Sequence, residues 1–574
     1  VTTGVHNTIV GANAGDAFTD ADYNTALGSF ALSADTLGSR STALGFQALG
    51  SQNFTTATDA YNVAVGFNAG VSITTGIQNV LVGGLAGDAL TDADHNVVLG
   101  TNALGSDVMG SRSTAIGHGT LFTQNFTTDT NSYNTAVGYQ AGNDVTTGIQ
   151  NTLIGGEAGA EITDSDNNVA IGYASLGANK LGSQTTAVGA GALNNQNYAT
   201  ATNSQNTAVG YHAGLSITTG VQNAILGARA GDALTNANYN VAIGEQALTT
   251  DTLGSRSVAV GFGALAIQNL TTSTDTYNTA VGSNAGEQLT TGIHNVFIGG
   301  LAGDFLTDAD DNVAVGYTAL SADRLGSKST AIGRGTLSNQ AFTTATDSFN
   351  TAVGYHAGHQ ITTGQQNVMV GGSAGDELTT GNYNVILGYL AGTHGINLQT
   401  GNQNILIGAF ADTSATNALG ATAIGYDVTS DPGFTTIGNS TDDIRAGHGV
   451  ATWSTVCDER YKKDITDSTL GLSFINALKP RTFNYKTKGE LPDTFRAYEE
   501  GSSEVYKSEQ TQHGFIAQEV KTAIDAASGV ANGFKMWAER EDGSQEVAEA
   551  ALIPMLVKAI QELSAEIETL KSGG

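Results

Sequence analysis

The chain has 574 residues, with 53 Asp and Glu against 23 Lys and Arg, a formal net charge of −30, 75 glycines, four prolines and one cysteine. So acidic a surface repels phosphate backbones and argues against nucleic-acid binding. The single Cys457 excludes an intrachain disulfide, and no run of 18 apolar residues is present to cross a membrane.

The chain opens on Val-Thr-Thr-Gly, already inside a repeat, so the natural protein is expected to extend further towards the N-terminus. Near-copies of Asn62-Val-Ala-Val-Gly-Phe-Asn-Ala-Gly70 recur to Ala421, in steps of 17, 17, 17 and 21 residues that sum to a super-repeat of 72. Positions 62, 134, 206, 278 and 350 keep that period. Such periodicity predicts a solenoid whose coils bury their apolar faces only by stacking. All four prolines (Pro432, Pro480, Pro492 and Pro554) follow the regular repeats, which leaves the backbone ladders uninterrupted.

Each coil carries a short β-branched run bounded by Asn and Gly, which reads as a strand. Because its apolar residues are consecutive, both strand faces are expected to be buried. A solenoid covers one face, so the other calls for the same strand in further copies around a common axis. Gly66, Gly83, Gly100 and Gly117 close successive strands, where an αL or tight corner would penalise a side chain. The leading residue is Asn except at Ser41, Ser113, Thr185, Ser257, Ser329 and Ala421. The amides are suited to a ladder along the fibre, to an Asx turn, or to both.

Three connections alternate: Thr-Thr-Gly, an acidic one (Asp88, Asp92, Asp94), and a long one from Gln52 to Tyr61. The acids are expected to be solvated turns and not a calcium site, since Asp88 is matched by Ala160, and Asp92 and Asp94 by Asn236 and Asn238. Arg40, Arg112, Arg256 and Lys328 each follow an acid by five residues (Asp35, Asp107, Asp251, Asp323), which predicts a modest ion pair at the surface or between chains. Phe54, Phe126, Tyr198, Leu270 and Phe342 in the long connection are expected to pack onto the coil, with sugar stacking as the alternative.

This repeat set, with Ser257-Val258-Ala259-Val260-Gly261 among its copies, resembles the heads of trimeric autotransporter adhesins, whose units build a left-handed parallel β-roll in a trimer. It is also similar to repeats of long phage tail fibres. The likeness runs from residue 1 to about 438 and implies architecture, not a ligand.

After the degenerate copy Thr435-Thr436-Ile437-Gly438 the composition changes: Lys, Glu and Pro appear and Gly thins out, with a boundary at about 440–455. Four motifs then follow: Cys457-Asp458-Glu459-Arg460-Tyr461-Lys462-Lys463-Asp464-Ile465; Leu478-Lys479-Pro480 before Phe483-Asn484-Tyr485; His513-Gly514-Phe515-Ile516-Ala517-Gln518-Glu519-Val520; and a closing helix from Leu552. In this order they resemble the intramolecular chaperone at the C-terminus of endosialidase-type tail spikes and related fibres. That resemblance implies a trimer that nucleates assembly of the upstream fibre. It also implies self-cleavage by a Ser and Lys dyad just before a Ser-Asp-x-Arg-x-Lys motif. Cys457 stands at the Ser position and Lys462 keeps the spacing of five. A thiolate is a good nucleophile that a neighbouring cation favours, but geometry tuned for a serine oxygen does not suit the larger sulfur. The dyad is therefore expected to be inactive or trapped. Within the resemblance Asp458, Arg460, His513, Gly514, Gln518 and Glu519 carry the chaperone motif.

Ile553, Leu556, Ile560, Leu563, Ile567 and Leu570 alternate steps of three and four, a heptad seam. Ile at a with Leu at d leans towards a dimer, while the family and the two-faced strands call for a trimer, which is the state expected here. Pro554 fits the first turn.

The expected fold is an all-β solenoid, a trimeric parallel β-roll or β-helix fibre, with a C-terminal α+β chaperone domain ending in a coiled-coil helix. Its parts are a shaft at 1–440, a junction at 441–456, the chaperone at 457–551 and the helix at 552–574. The expected function is a structural homotrimeric fibre, of the phage tail-fibre kind, for host-surface attachment, in the virion or extracellular. A bacterial appendage or trimeric adhesin is the alternative. A glycan depolymerase is the weaker one, because interchangeable repeated acids do not make a carboxylate pair in a cleft. A host glycan or protein receptor and further fibre or baseplate proteins are the expected partners. Neither nucleic acid nor membrane insertion is expected, and neither cofactor nor metal.

Overall fold

The computed structural model describes residues 1–450, 452–527 and 536–573, so residues 528–535 of the expected chaperone segment and Gly574 of its helix lie outside the described residues. The chain divides into two compact units, Val1–Val456 and Cys457–Gly574.

The first unit is a β-solenoid built on a 26-stranded sheet. Each three-residue strand pairs in parallel and in register with its copy one coil on, as Val63–Val65 does with Val80–Val82 and that strand with Val97–Leu99. Phe434–Asn439 adds the last parallel strand, and Asp443–Gly447 folds back on it antiparallel. At about 4.8 Å per step the sheet runs for roughly 120 Å.

Within one chain only one strand face is covered. Val98 is 0% exposed, while Val97 and Leu99 on either side of it are 41% and 47% exposed. The central residue of each strand, such as Leu81, joins one continuous core with the alanines and leucines of the return stroke, such as Ala69, Ala86 and Leu90. The outward residues, among them Val80, Ile154, Ile298 and Ile407, form an apolar stripe along the sheet.

The strand-closing glycines are not αL. Gly66, Gly83, Gly100 and Gly117 have φ between +135° and +149°, a region essentially confined to glycine. They also touch one another's backbones: a Cβ on Gly66 would lie 2.3 Å from the Gly83 carbonyl oxygen, and one on Gly83 2.5 Å from that of Gly100. Stacking of coils is thus limited by a column of bare backbone.

The amide ladder forms. Asn79 N–H donates to Asn62 Oδ1 (2.9 Å) and Asn96 N–H to Asn79 Oδ1 (2.9 Å), while Asn62 Nδ2 donates to the Gly76 carbonyl (2.7 Å) and Asn79 Nδ2 to that of Ala93 (2.7 Å). All three side chains are fully buried, where an unmade bond would be expensive. The hydroxyl exceptions mark the coil that lengthens to 21 residues. Gln52 Nε2 donates to Ser41 Oγ (3.1 Å) and to Asp35 Oδ2 (2.7 Å), and its Oε1 accepts from Asn62 Nδ2 (2.9 Å), so the inserted glutamine completes the network.

This network corrects the expected ion pairs. Asp35 is buried and accepts from Gln52 and from the Gly38 N–H (2.9 Å) instead of meeting Arg40, and burial pushes its carboxyl up. Asp107, Asp251 and Asp323 behave alike. The cations pair forward across the long connection: Arg40 with Asp59 (2.9 Å), Arg256 with Asp275 (3.0 Å), Lys328 with Asp347 (2.5 Å), and Arg112 Nε with Asn131 Oδ1 (2.8 Å). They also stand in a column of planar side chains, the Arg40 guanidinium lying 5.0 Å and 5.7 Å from the Tyr23 and Tyr61 rings. Phe54, Phe126, Tyr198, Leu270 and Phe342 are buried, as packing requires.

In the second unit a small core of Phe474, Leu478, Val520, Ala523, Met536 and Leu552 joins helices α1 (Leu472–Ala477), α2 (Ala517–Ala526) and α3 (Ile553–Ser572). Two short antiparallel pairs, Arg481–Phe483 with Gln512–Gly514 and Trp537–Glu539 with Gln545–Val547, complete the α+β arrangement. Pro554 lies in the first turn of α3.

Candidate functional site

Residues 457–462 make a tight, self-tied turn. Asp458 caps a 3-10 helix at Glu459–Tyr461 by accepting the Arg460 N–H (2.8 Å), and the Arg460 guanidinium returns to the same carboxylate through Nε (3.0 Å) and Nη2 (2.6 Å). The bidentate pair holds the Asp458 carboxyl below the usual carboxylate range. Lys462 leaves this turn folded back, and its Nζ lies 3.0 Å from Cys457 Sγ and 3.2 Å from the Cys457 carbonyl oxygen. The thiol is exposed, so nucleophile and amine meet at the surface.

A second group forms on the strand pair. Arg481 Nε and Nη2 grip Glu519 at 2.9 Å and 2.6 Å, and the guanidinium holds that carboxyl down. His513 Nδ1 stands 3.3 Å from Thr482 Oγ1. Gly514 ends the second strand of the pair, opposite Arg481. Gln518 is exposed on α2, and its carbonyl accepts from Thr522 Oγ1 (2.9 Å). Among the described residues no hydrogen bond or ion pair links this group to the Cys457 turn. Phe483, Tyr485 and Tyr506 meet edge to face beside His513, Arg540 and Glu549, lining a groove of about 770 Å³.

Residues 457–529 match the family model of the chaperone of endosialidase. No curated protein and no solved structure matches the chain. The match starts at Cys457, where the second compact unit also begins. A β-solenoid followed by this chaperone is the arrangement of a fibre or tail-spike protein.

On α3 the seam side chains are exposed in a single chain: Ile553, Leu556, Ile560, Leu563, Ile567 and Leu570, with Ile560 at 64% and Leu570 at 76%. Sequence reasoning missed two anchors. Arg481 orients Glu519, and Glu562 reaches from α3 to α1, its Oε2 accepting the Leu472 N–H at 2.7 Å. Gly471 leaves room for that carboxylate, since a Cβ there would fall 2.2 Å from it. Bare glycine before an uncapped helix was the available signal.

No helix among the described residues is long and apolar enough to cross a membrane. The acids of the repeated turns act as acceptors: Asp92 Oδ1 takes the Thr75 hydroxyl (2.5 Å) and Asp94 Oδ1 the Ile77 N–H (2.8 Å), as Asn236 and Asn238 do for Thr219 and Val221. An amide oxygen serves equally, which explains why Asp and Asn exchange there.

Proposed function

We propose that the protein is a homotrimeric fibre of the phage tail-fibre kind, that the shaft spans distance to a host surface bearing a glycan or protein receptor, and that the C-terminal segment sets trimer register. The observation that carries this reading is paired exposure. The outward strand stripe and the α3 seam both lie open in one chain, and copies of the same chain cover both. Every coil resembles the next, so a slip by one coil hides the same residues and the shaft cannot choose its own register. A non-repeating trimeric nucleus removes that degeneracy. Attachment to other fibre or baseplate proteins, and a virion or extracellular location, follow from the same reading. Sedimentation equilibrium of the full chain tests it: about three times the 58.5 kDa chain mass is expected, and a monomer overturns it.

The Cys457–Lys462 turn is read as a self-cleavage dyad slowed by sulfur. Cys457→Ser is expected to raise cleavage before residue 457, seen as conversion of the full-length band to two fragments. A band that stays whole in the serine variant overturns the assignment.

A further inference from the structure

One corner of the super-repeat differs from copy to copy. It comprises positions 68, 71 and 88 and their equivalents at intervals of 72. Among the described residues, four buried side-chain oxygens or nitrogens have no hydrogen-bond partner: Asn68 Oδ1, Asn284 Oδ1, Asp304 Oδ1 and Asp376 Oδ1. All four fall at this corner.

The five copies form a natural substitution series. In the second, Gln140, Asn143 and Ala160 stand there; Asn143 Nδ2 donates to the Gly119 carbonyl (3.1 Å), and no acid is present. In the third, Asp232 Oδ1 accepts from the Thr249 hydroxyl (2.5 Å). In the fifth, the His356 and His359 rings stack at 4.7 Å, both act on the charge of Asp376, and His359 Nδ1 lies 2.5 Å from Ser338 Oγ. In the second and third copies a side-chain hydrogen bond forms at this corner, and in the fifth two imidazole rings flank the acid.

The fourth places an acid, Glu287, where those copies have Asn143, Leu215 and His359, and its Asp304 Oδ1 has no partner. Its residues are Asn284, Glu287 and Asp304, and Asp304 is only 7% exposed. Gln288 N–H donates to the Asp304 carbonyl oxygen (2.9 Å) and Ile267 N–H to that of Glu287 (3.0 Å), so Glu287 lies between the coil below and the coil of Asp304. Asn284 Oδ1 sits over bare Gly263, where a Cβ would lie 2.7 Å from it. Burial, and then the charge of Glu287, push the Asp304 carboxyl up to about 6, and no cation offsets them. A chain that places a second acid beside a buried, unpartnered one carries a cost that a bound cation removes.

We propose that Asn284, Glu287 and Asp304 bind a hard divalent cation of the calcium kind. Two carboxylates balance its charge and the Asn284 amide adds a neutral oxygen, a donor set suited to calcium and not to zinc or copper. Among the described residues no group of three or more His, Cys, Asp or Glu is arranged to hold a metal, so this centre is not a cluster of acids alone. The expectation that the acidic turns bind no metal rested on their interchange with Ala and Asn, and that reasoning holds for Asp92 and Asp94. It does not reach the fourth corner, where Glu287 has Val71, Asn143, Leu215 and His359 as counterparts.

The test is calorimetric titration of the full chain with calcium chloride. One site per chain is expected, with a Kd of about 0.1–1 mM as in extracellular modules, together with a calcium-dependent rise in melting temperature. Glu287→His and Asp304→Ala reproduce the residues at 359 and 160, and both are expected to keep the wild-type circular dichroism spectrum and lose the site. If the first does not fold, the second carries the test. Asp92→Asn is expected to bind as wild type. No saturable uptake up to about 10 mM, binding that survives Asp304→Ala, or loss of binding in Asp92→Asn overturns the proposal.

Discussion

The two units meet the problem of burial in opposite ways. The shaft buries a complete core inside one chain, because each coil lays a central strand residue and its return-stroke alanine against the next coil. The chaperone unit holds only a small core, and its longest helix presents an entire apolar seam to solvent. A coil's nearest neighbours are its own chain; the α3 seam is left uncovered by the described residues of its own chain. Length is therefore a local property of the repeats, while the proposed function assigns partner number and alignment to the non-repeating end.

The largest way to break this contrast is to charge the seam. Leu563→Asp in the full chain is expected to abolish the trimer on size exclusion while leaving the β-rich circular dichroism of the shaft; a trimer that persists would move the partner-selecting role elsewhere. Within the shaft, Gly138→Ala strains a φ of +136° and sets a Cβ 2.4 Å from the Gly155 carbonyl oxygen. A loss of about 3 kcal/mol is expected, with protection lost locally in hydrogen exchange. Asn151→Ala removes the acceptor of the Asn168 N–H (3.0 Å) and the donor to the Ser165 carbonyl (2.8 Å), and is expected to cost about 2 kcal/mol in denaturant unfolding.

The pH response sharpens the comparison further. Burial raises the Asp107 pKa above its unfolded value, so the folded state holds the proton more tightly. Its contribution to stability is full below the unfolded value of about 4 and is lost as pH rises through the raised folded value. Asp107→Asn, which imitates Asn179 of the third super-repeat, is expected to flatten that fall; an unchanged slope between pH 4 and 7 would contradict the account of the buried network. Arg256→Ala is expected to shift the denaturant midpoint least of these variants, because its pair with Asp275 is exposed.

Much of the shaft was legible because its signals are local. The strand, the corner glycine and the leading asparagine all lie within five residues, and the period announces the stacking. The partners of Asp35 and Arg40 were not legible. Five residues separate them in sequence, but the coil turns between them, and each meets residues 17 to 19 positions onward instead. Glycine was foreseen at the corner, but not the backbone column that excludes every other residue there. At the C-terminus the spacing of Cys457 and Lys462 was readable because both belong to one turn. Arg481 with Glu519 and Glu562 with α1 join segments 38 and 90 residues apart, which no local pattern encodes.

The most direct measurement compares refolding of residues 1–456 with that of the full chain, followed by sedimentation velocity and SDS resistance. The account predicts native trimer from the full chain alone, with the shorter chain giving monomer or mixed, slipped assemblies. Equal yields of SDS-resistant trimer from residues 1–456 would contradict it.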